Sequence, residues 1–409
     1  MRLRNSPKKN ANNSCAMTDI QLHYIEQGQG QPLILLHGNG EDSSYFEHQI
    51  SAFSEKYRVI AIDTRGHGQS PRGEKPFAIK QFAEDLKDFM DEKGIKKATL
   101  LGFSDGGNIA LEFALKHPER IEKLILNGAN LFPKGVKPRY QWPIEMGYRI
   151  AKWFANKDEK AKKNAEMLAL MVNEPHIEPS ELAHLTMPVL VIVGTNDMIK
   201  ESHTRLIYNS LPNAQLAILK GDHFVANKNP VAFNAMVRVF LSGYMIRHAT
   251  MDDLPTILSL RDQAREIMRS YGNTYQWPEG YPRDDMFRKD IELGGSHVMA
   301  DETGAIVGTF ALLPSPEVTY NVIYNGLWLD DKPYHVIHRI ASTPDSHGVL
   351  DAVLDYSETL ATNIRIDTHE ANIIMRKGLE KHGYHYCGII HLLNGDERLA
   401  FQKIIPYSR

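Results

Sequence analysis

Apolar residues along this chain fall into runs of two kinds. Those at 32–36, 57–62, 98–101, 121–127 and 188–194 are nearly continuous, the pattern of strands covered on both faces. Residues 20–25 alternate instead, as an edge strand does. Between these runs, 77–94 and 107–114 repeat their apolar residues at helical spacing. Strands alternating with helices predict an α/β unit with a parallel sheet, extended by a strand at 216–219 and a helix at 230–240. From Tyr244 the order changes: a strand, then a helix capped by Asp252 or Thr250, then a hairpin of 297–300 with 305–312 around Asp301-Glu302-Thr303-Gly304. A strand at 335–341, a helix at 348–360, a strand at 364–368, a helix at 372–381 and a final strand pair complete it, the last strand including 399–403.

Composition narrows this picture. The 409 residues suffice for two or three domains, and 42% hydrophobic with 24% charged residues is an ordinary globular balance. A net charge of −3 gives no general attraction to nucleic acid or to a membrane, and neither is expected as a partner. Two cysteines, Cys15 and Cys387, make no disulfide framework, so a reducing cytoplasm is the expected location. No apolar run reaches transmembrane length, and the basic, polar residues 1–16 read as a disordered tail. The histidine pairs at 335/338 and 382/385 lack a carboxylate at ligand-like spacing, so no metal is expected. Oligomeric state is left open.

Chemistry concentrates where the runs end. Gly102-Phe103-Ser104-Asp105-Gly106 lies between a strand-like run and a helical one. A serine on such a turn, with a glycine two residues to each side, has its hydroxyl pushed out of the sheet. With His37-Gly38-Asn39-Gly40 and Asp63-x-Arg65-Gly66-x-Gly68-x-Ser70 ahead of it, the stretch from 17 to 243 resembles an α/β-hydrolase. The resemblance implies a parallel sheet with a helical lid at about 132–185, for which 144–154 and 158–172 are candidate helices. Two later motifs sit at strand ends, Thr195-Asn196-Asp197 and Gly221-Asp222-His223-Phe224, and give the family order Ser104, Asp197, His223. An imidazole that takes the serine proton, and a carboxylate that fixes the imidazole tautomer, make these three the candidate catalytic residues. Asp222 and Asp105 are competing carboxylates. Backbone amides of Asn39 and Asp105 are the candidate oxyanion hole, while His37 and His67 are implied to support loops. The expected activity is serine hydrolysis of a small ester or related acyl substrate. Dehalogenase and epoxide-hydrolase relatives use a carboxylate where Ser104 stands. The Asp105 carboxylate either meets a cationic substrate or turns away to cap the helix or pair with a lid lysine such as Lys162.

Residues 244–409, opening with Tyr244-Met245-Ile246-Arg247-His248-Ala249-Thr250-Met251-Asp252-Asp253-Leu254-Pro255, resemble a GNAT-type N-acetyltransferase, a mixed α/β domain joined almost without linker. The resemblance implies acetyl-CoA as cofactor: Ile340 and Ala341 pairing with its pantetheine arm, Gly348, Val349 and neighbours to Ala352 offering phosphate amides, and Asn372 contacting it. Two positions depart from the family pattern. Leu350 stands at the inner glycine of the phosphate loop, followed by Asp351, and Leu379 stands where a tyrosine general acid is usual. Tyr384, Tyr386 and Cys387 lie nearby, each better read as a core or strand residue. The other reading of this domain is a degenerate one that binds a cofactor or partner beside a working hydrolase.

Overall fold

The computed structural model describes residues 19–406, and the tail expected over 1–16 lies outside them. A first seven-stranded sheet is built from β1 (Tyr24–Gln27), β2 (Gln31–Leu36), β3 (Tyr57–Ile62), β4 (Ala98–Phe103), β5 (Ile121–Asn127), β6 (Val189–Asn196) and β7 (Ala214–Asp222). Its spatial order is β1-β3-β2-β4-β5-β6-β7, with β1 antiparallel and every other neighbour parallel. Helices α1 (Glu47–Phe53), α2 (Ile79–Glu92), α3 (Asp105–Lys116), α4 (Pro138–Phe154), α5 (Glu159–Asn173), α6 (Glu201–Ser210), α7 (Val225–Lys228) and α8 (Pro230–Leu241) accompany it. One face of the sheet buries Ile34, Leu100 and Leu126 against α2 and α3, and the other buries Leu35, Leu101 and Ile192 against α1 and α8. That is why the central runs read as continuously apolar.

The edge strand differs from expectation. Residues 20–23 are not strand, and pairing starts at Tyr24. His23 is committed elsewhere: its N–H donates to Ser70 Oγ (2.8 Å) and its Nδ1 lies 2.8 Å from Asp63 Oδ2. The first candidate lid helix also starts earlier than expected, at Pro138, and carries Pro143 inside it on the exposed side.

A second seven-stranded sheet contains β8 (Met245–His248), β9 (Ser296–Ala300), β10 (Ile306–Pro314), β11 (His335–Ser342), β12 (Asn363–Thr368), β13 (His385–His391) and β14 (Glu397–Ile404). The order is β13-β14-β12-β11-β10-β9-β8, and only β11 with β12 is parallel. Its helices are α9 (Leu254–Ser270), α10 (Asp284–Glu292), α11 (Val349–Leu360) and α12 (Ile373–Lys381). Of the two candidate caps, Thr250 forms a capping box with Asp253 ahead of α9.

The two sheets meet along a seam. Helix α8 packs on α11, and Val231 of α8 joins the second core. Arg238 of α8 donates Nη2 to the buried Asp355 of α11 at 2.6 Å, and Lys123 reaches Glu302 at 3.0 Å.

Candidate active site

Strand β4 ends and α3 begins at Ser104, whose φ of 52° and ψ of −118° place a non-glycine residue in a costly region. Flanking glycines are required by space. A Cβ on Gly102 would lie 2.3 Å from the Gly106 carbonyl oxygen, and one on Gly106 would lie 2.0 Å from that of Leu36. The elbow therefore folds only with these two positions bare, and it aims Ser104 Oγ at His223.

His223 Nε2 lies 3.0 Å from Ser104 Oγ, and its Nδ1 lies 2.8 Å from Asp197 Oδ1. Asp197 follows β6 and His223 follows β7, so the C-terminal ends of β4, β6 and β7, with β5 between the first two, supply the three groups. The same Asp197 oxygen accepts the Ile199 N–H at 2.8 Å, which fixes the carboxylate, and both Asp197 and His223 are buried. Phe103 lies against the imidazole with ring centroids 4.9 Å apart. Asp222 is turned outward, where it caps the Phe224 N–H (2.9 Å) and pairs with Lys228 (2.6 Å). Among the competing carboxylates, only Asp197 reaches the ring.

The Asp105 side chain does neither thing expected of it when turned away. It does not cap α3, and Lys162 pairs with Glu159 instead. Buried, it accepts Asn39 Nδ2 at 2.8 Å and Asn108 Nδ2 at 3.2 Å. Burial pushes its carboxyl above the usual range, opposed by the Asn39 hydrogen bond. Asn39 Nδ2 also donates to the Met167 carbonyl of α5 at 2.9 Å, so one amide ties the candidate oxyanion loop to α3 and to α5. As the first residue of α3, Asp105 has a backbone N–H without a helical acceptor. His37 receives the Thr64 N–H on Nε2 (3.0 Å), and His67 Nδ1 lies 3.0 Å from the Arg65 carbonyl, so both rings brace loops. Burial holds His67 down at about 4.

One group escaped the sequence reading. Glu41, three residues after Gly38, accepts the Gly38 N–H at 3.3 Å, and burial raises it to about 7 against the pull of that bond and of His223. Its position in the loop after His37-Gly38-Asn39-Gly40 was the available signal. A carboxyl raised on folding favours the native state while protonated, so its contribution is complete below about 4.5 and is lost as pH rises through about 7. Glu41→Gln keeps the acceptor without the charge. The variant is expected to match wild-type thermal stability at pH 4.5 and to exceed it at pH 8, and equal melting temperatures at pH 8 would refute this.

Two further findings bear on the family. The profile described as the alpha/beta hydrolase fold matches residues 31–171. A putative carbamate hydrolase RutD of Caulobacter sp. is 30% identical over 254 residues, spanning 54% of this chain and 95% of that protein. This chain belongs to the alpha/beta hydrolase fold family. Another relative of this hydrolase, the 3-oxoadipate enol-lactonase 2 of Acinetobacter baylyi, is 28% identical over 55% of this chain and 95% of its own. Among solved structures, an acetyltransferase of the GNAT family from Streptococcus agalactiae is 32% identical, covers 40% of this chain and 96% of its own, and has a TM-score of 0.36.

Outside the hydrolase sheet, a cleft of about 810 Å³ opens between β11 and β12. Those strands pair only from His335 to Ile337 against Ile364 to Ile366, then part. Where they part, β11 bulges against β10 between Ala311 and Thr309, with Arg339 at φ 55°. Of the candidate cofactor residues, Ile340, Ala341, Val349 and Asn372 line the cleft, while Gly348 is the N-cap of α11 at its rim. Asn372 caps α12 through the Met375 N–H (3.1 Å) and donates to Gln276 (2.9 Å). Leu350 lines the cleft and reaches toward Gly378 of α12. Asp351 turns to His382 (2.9 Å) and Lys381 (3.4 Å), so its charge is already paired. Leu379 and Tyr384 are buried in the core, Tyr386 is exposed, and burial raises the Cys387 thiol.

Proposed function

We propose that this chain is a serine hydrolase of a small ester or related acyl substrate, with Ser104 as nucleophile, His223 as general base and acid, and Asp197 as orienting carboxylate. The observation that carries this reading is the unbroken chain Asp197–His223–Ser104 at 2.8 and 3.0 Å on a strained elbow. His223 Nε2 accepts the Ser104 proton as Oγ attacks the substrate carbonyl, while Asp197 holds the Nδ1–H and offsets the imidazolium charge. Amides of Asn39 and Asp105 receive the negative charge on the carbonyl oxygen. His223 then returns the proton to the leaving alcohol, and water releases the acyl group by the reverse steps. Relatives named for carbamates and enol-lactones act on carbonyl carbons, which agrees with this substrate class. A fluorophosphonate probe should label the protein once, at the peptide containing Ser104. Labelling elsewhere, or none, would refute the assignment.

For the second sheet we propose acetyl-CoA binding and acetyl transfer to an amine. The residues present fit the cofactor: β11 beyond Ile337 has a free edge toward β12, and α11 starts beside that edge with unsatisfied amides. The pairing of Asp351 removes the charge conflict that the sequence alone suggests. Ile340 and Ala341 would hold the pantetheine arm, Gly348 and Val349 the phosphates, and Asn372 the adjacent portion. When bound, the cofactor supplies an acetyl group activated as a thioester. The burial of Leu379 and Tyr384 favours the second reading, a binding domain without a tyrosine acid. Calorimetry on the full chain should give a Kd of about 1 μM or tighter, about −8 kcal/mol. Absence of heat and of thermal shift at millimolar acetyl-CoA would leave only a partner-binding role.

A further inference from the structure

We propose that the lid helix α4 docks on an anionic lipid surface. Trp142, Met146, Ile150 and Trp153 follow one another at steps of four, four and three, so they share one face of α4. That face is bare: Trp142 is 66% exposed, Met146 37%, Ile150 55% and Trp153 80%, with Phe154 at its edge also exposed. The opposite side packs on α5, where Gln141 reaches the Met171 carbonyl. Isolated exposed apolar residues need no explanation, but a continuous stripe of large ones with two indoles does.

The surrounding charge says what covers the stripe. Between positions 134 and 163 there are nine lysines and arginines against three acidic residues, a net +6 within a chain of net −3. Arg139, Arg149 and Lys152 stand on or beside the stripe, and Lys157, Lys160, Lys162 and Lys163 continue past it. Of these seven, among the described residues, only Lys162 pairs with a carboxylate. An apolar face rich in tryptophan and rimmed with basic side chains suits the boundary between acyl chains and anionic headgroups. A second copy is disfavoured, because a two-fold contact would set +6 against +6. A nucleic acid would answer the charge but leave Met146 and Ile150 without a partner. No helix among the described residues is long and apolar enough to cross a membrane, so the contact is with the surface. The whole-chain balance hides this local excess, which is why the sequence reading expected no membrane.

The full chain can be sedimented with phosphatidylcholine vesicles, with and without about 30% phosphatidylglycerol, at low and high salt. Binding should be at least about tenfold stronger to the anionic vesicles at 0.1 M salt and should fall at 0.5 M. Trp142 and Trp153 are exposed while Trp277 is buried, so binding should also shift tryptophan emission to the blue. The exposed triple variant Trp142→Ser, Ile150→Ser, Trp153→Ser should keep its melting temperature and lose at least about tenfold in vesicle affinity. No sedimentation with anionic vesicles, equal binding by the triple variant, or equal binding to zwitterionic vesicles would each overturn the proposal. So would concentration-dependent dimerisation that the triple variant abolishes, or retention on single-stranded DNA in preference to vesicles.

Discussion

Ser104→Ala is expected to lower kcat on short activated esters by about 10⁴-fold or more, with KM changed far less. The size of the effect follows from what remains. With Oγ gone, His223 has no hydroxyl to deprotonate, and attack falls back on water with whatever help the oxyanion amides give. The substitution removes one oxygen at a half-buried position and leaves both glycines of the elbow in place, so the fold should persist. Alanine also tolerates the positive φ of 52° no worse than serine does. The check is a rate measurement beside a melting curve. A variant that melts like wild type and keeps more than about a tenth of its kcat would place the nucleophile elsewhere.

Arg65→Met is expected to destabilise the first sheet by about 3–5 kcal/mol, the range for breaking a buried ion pair by removing one partner. Arg65 has no solvent exposure; it sends Nε and Nη2 to the two oxygens of the buried Asp85, each at 2.7 Å, and Nη1 to Asp19 and to the Arg72 carbonyl. Methionine fills similar volume but leaves the buried Asp85 carboxyl without its two guanidinium donors. Urea unfolding followed by near-ultraviolet dichroism measures the loss. The double variant Arg65→Met, Asp85→Leu should recover part of it, because it removes the stranded charge as well. A single variant within about 1 kcal/mol of wild type would mean that the pair is not what holds the loop after β3.

Much of this architecture could be read from the chain because its elements announce themselves locally. The strand at Tyr57–Ile62 and that at Ile121–Asn127 fall where their apolar runs lie, since the stretches buried on both faces, 59–62 and 124–126, are apolar throughout. Ser104, Asp197 and His223 could be singled out because each sits where such a run stops. What escaped depends on distant partners. Residues 20–23 alternate like a strand, yet His23 is taken by Asp63 and Ser70, 40 and 47 positions on. The Asn39 amide meets the Met167 carbonyl 128 positions away, and no local pattern encodes that meeting. In the cleft, His338 stands 3.4 Å from Glu317 and 3.9 Å from Asp367, three groups from separate elements whose convergence needs the folded sheet. The lid stripe was hidden for the opposite reason. Helical spacing alone does not say which of its residues face water, because that depends on where α5 packs.

The seam between α8 and α11 limits the history open to this chain. With Arg238 closed on the buried Asp355, and Val231 lodged in the second core, a gene break near position 243 would release two damaged products. One would carry a bare apolar strip along its last helix, and the other an internal carboxylate stripped of its guanidinium. Fission would therefore carry a folding cost whatever chemistry either half performs. The two halves are thus held together by packing as well as by the chain, and parting them uncovers surface that neither can bury alone.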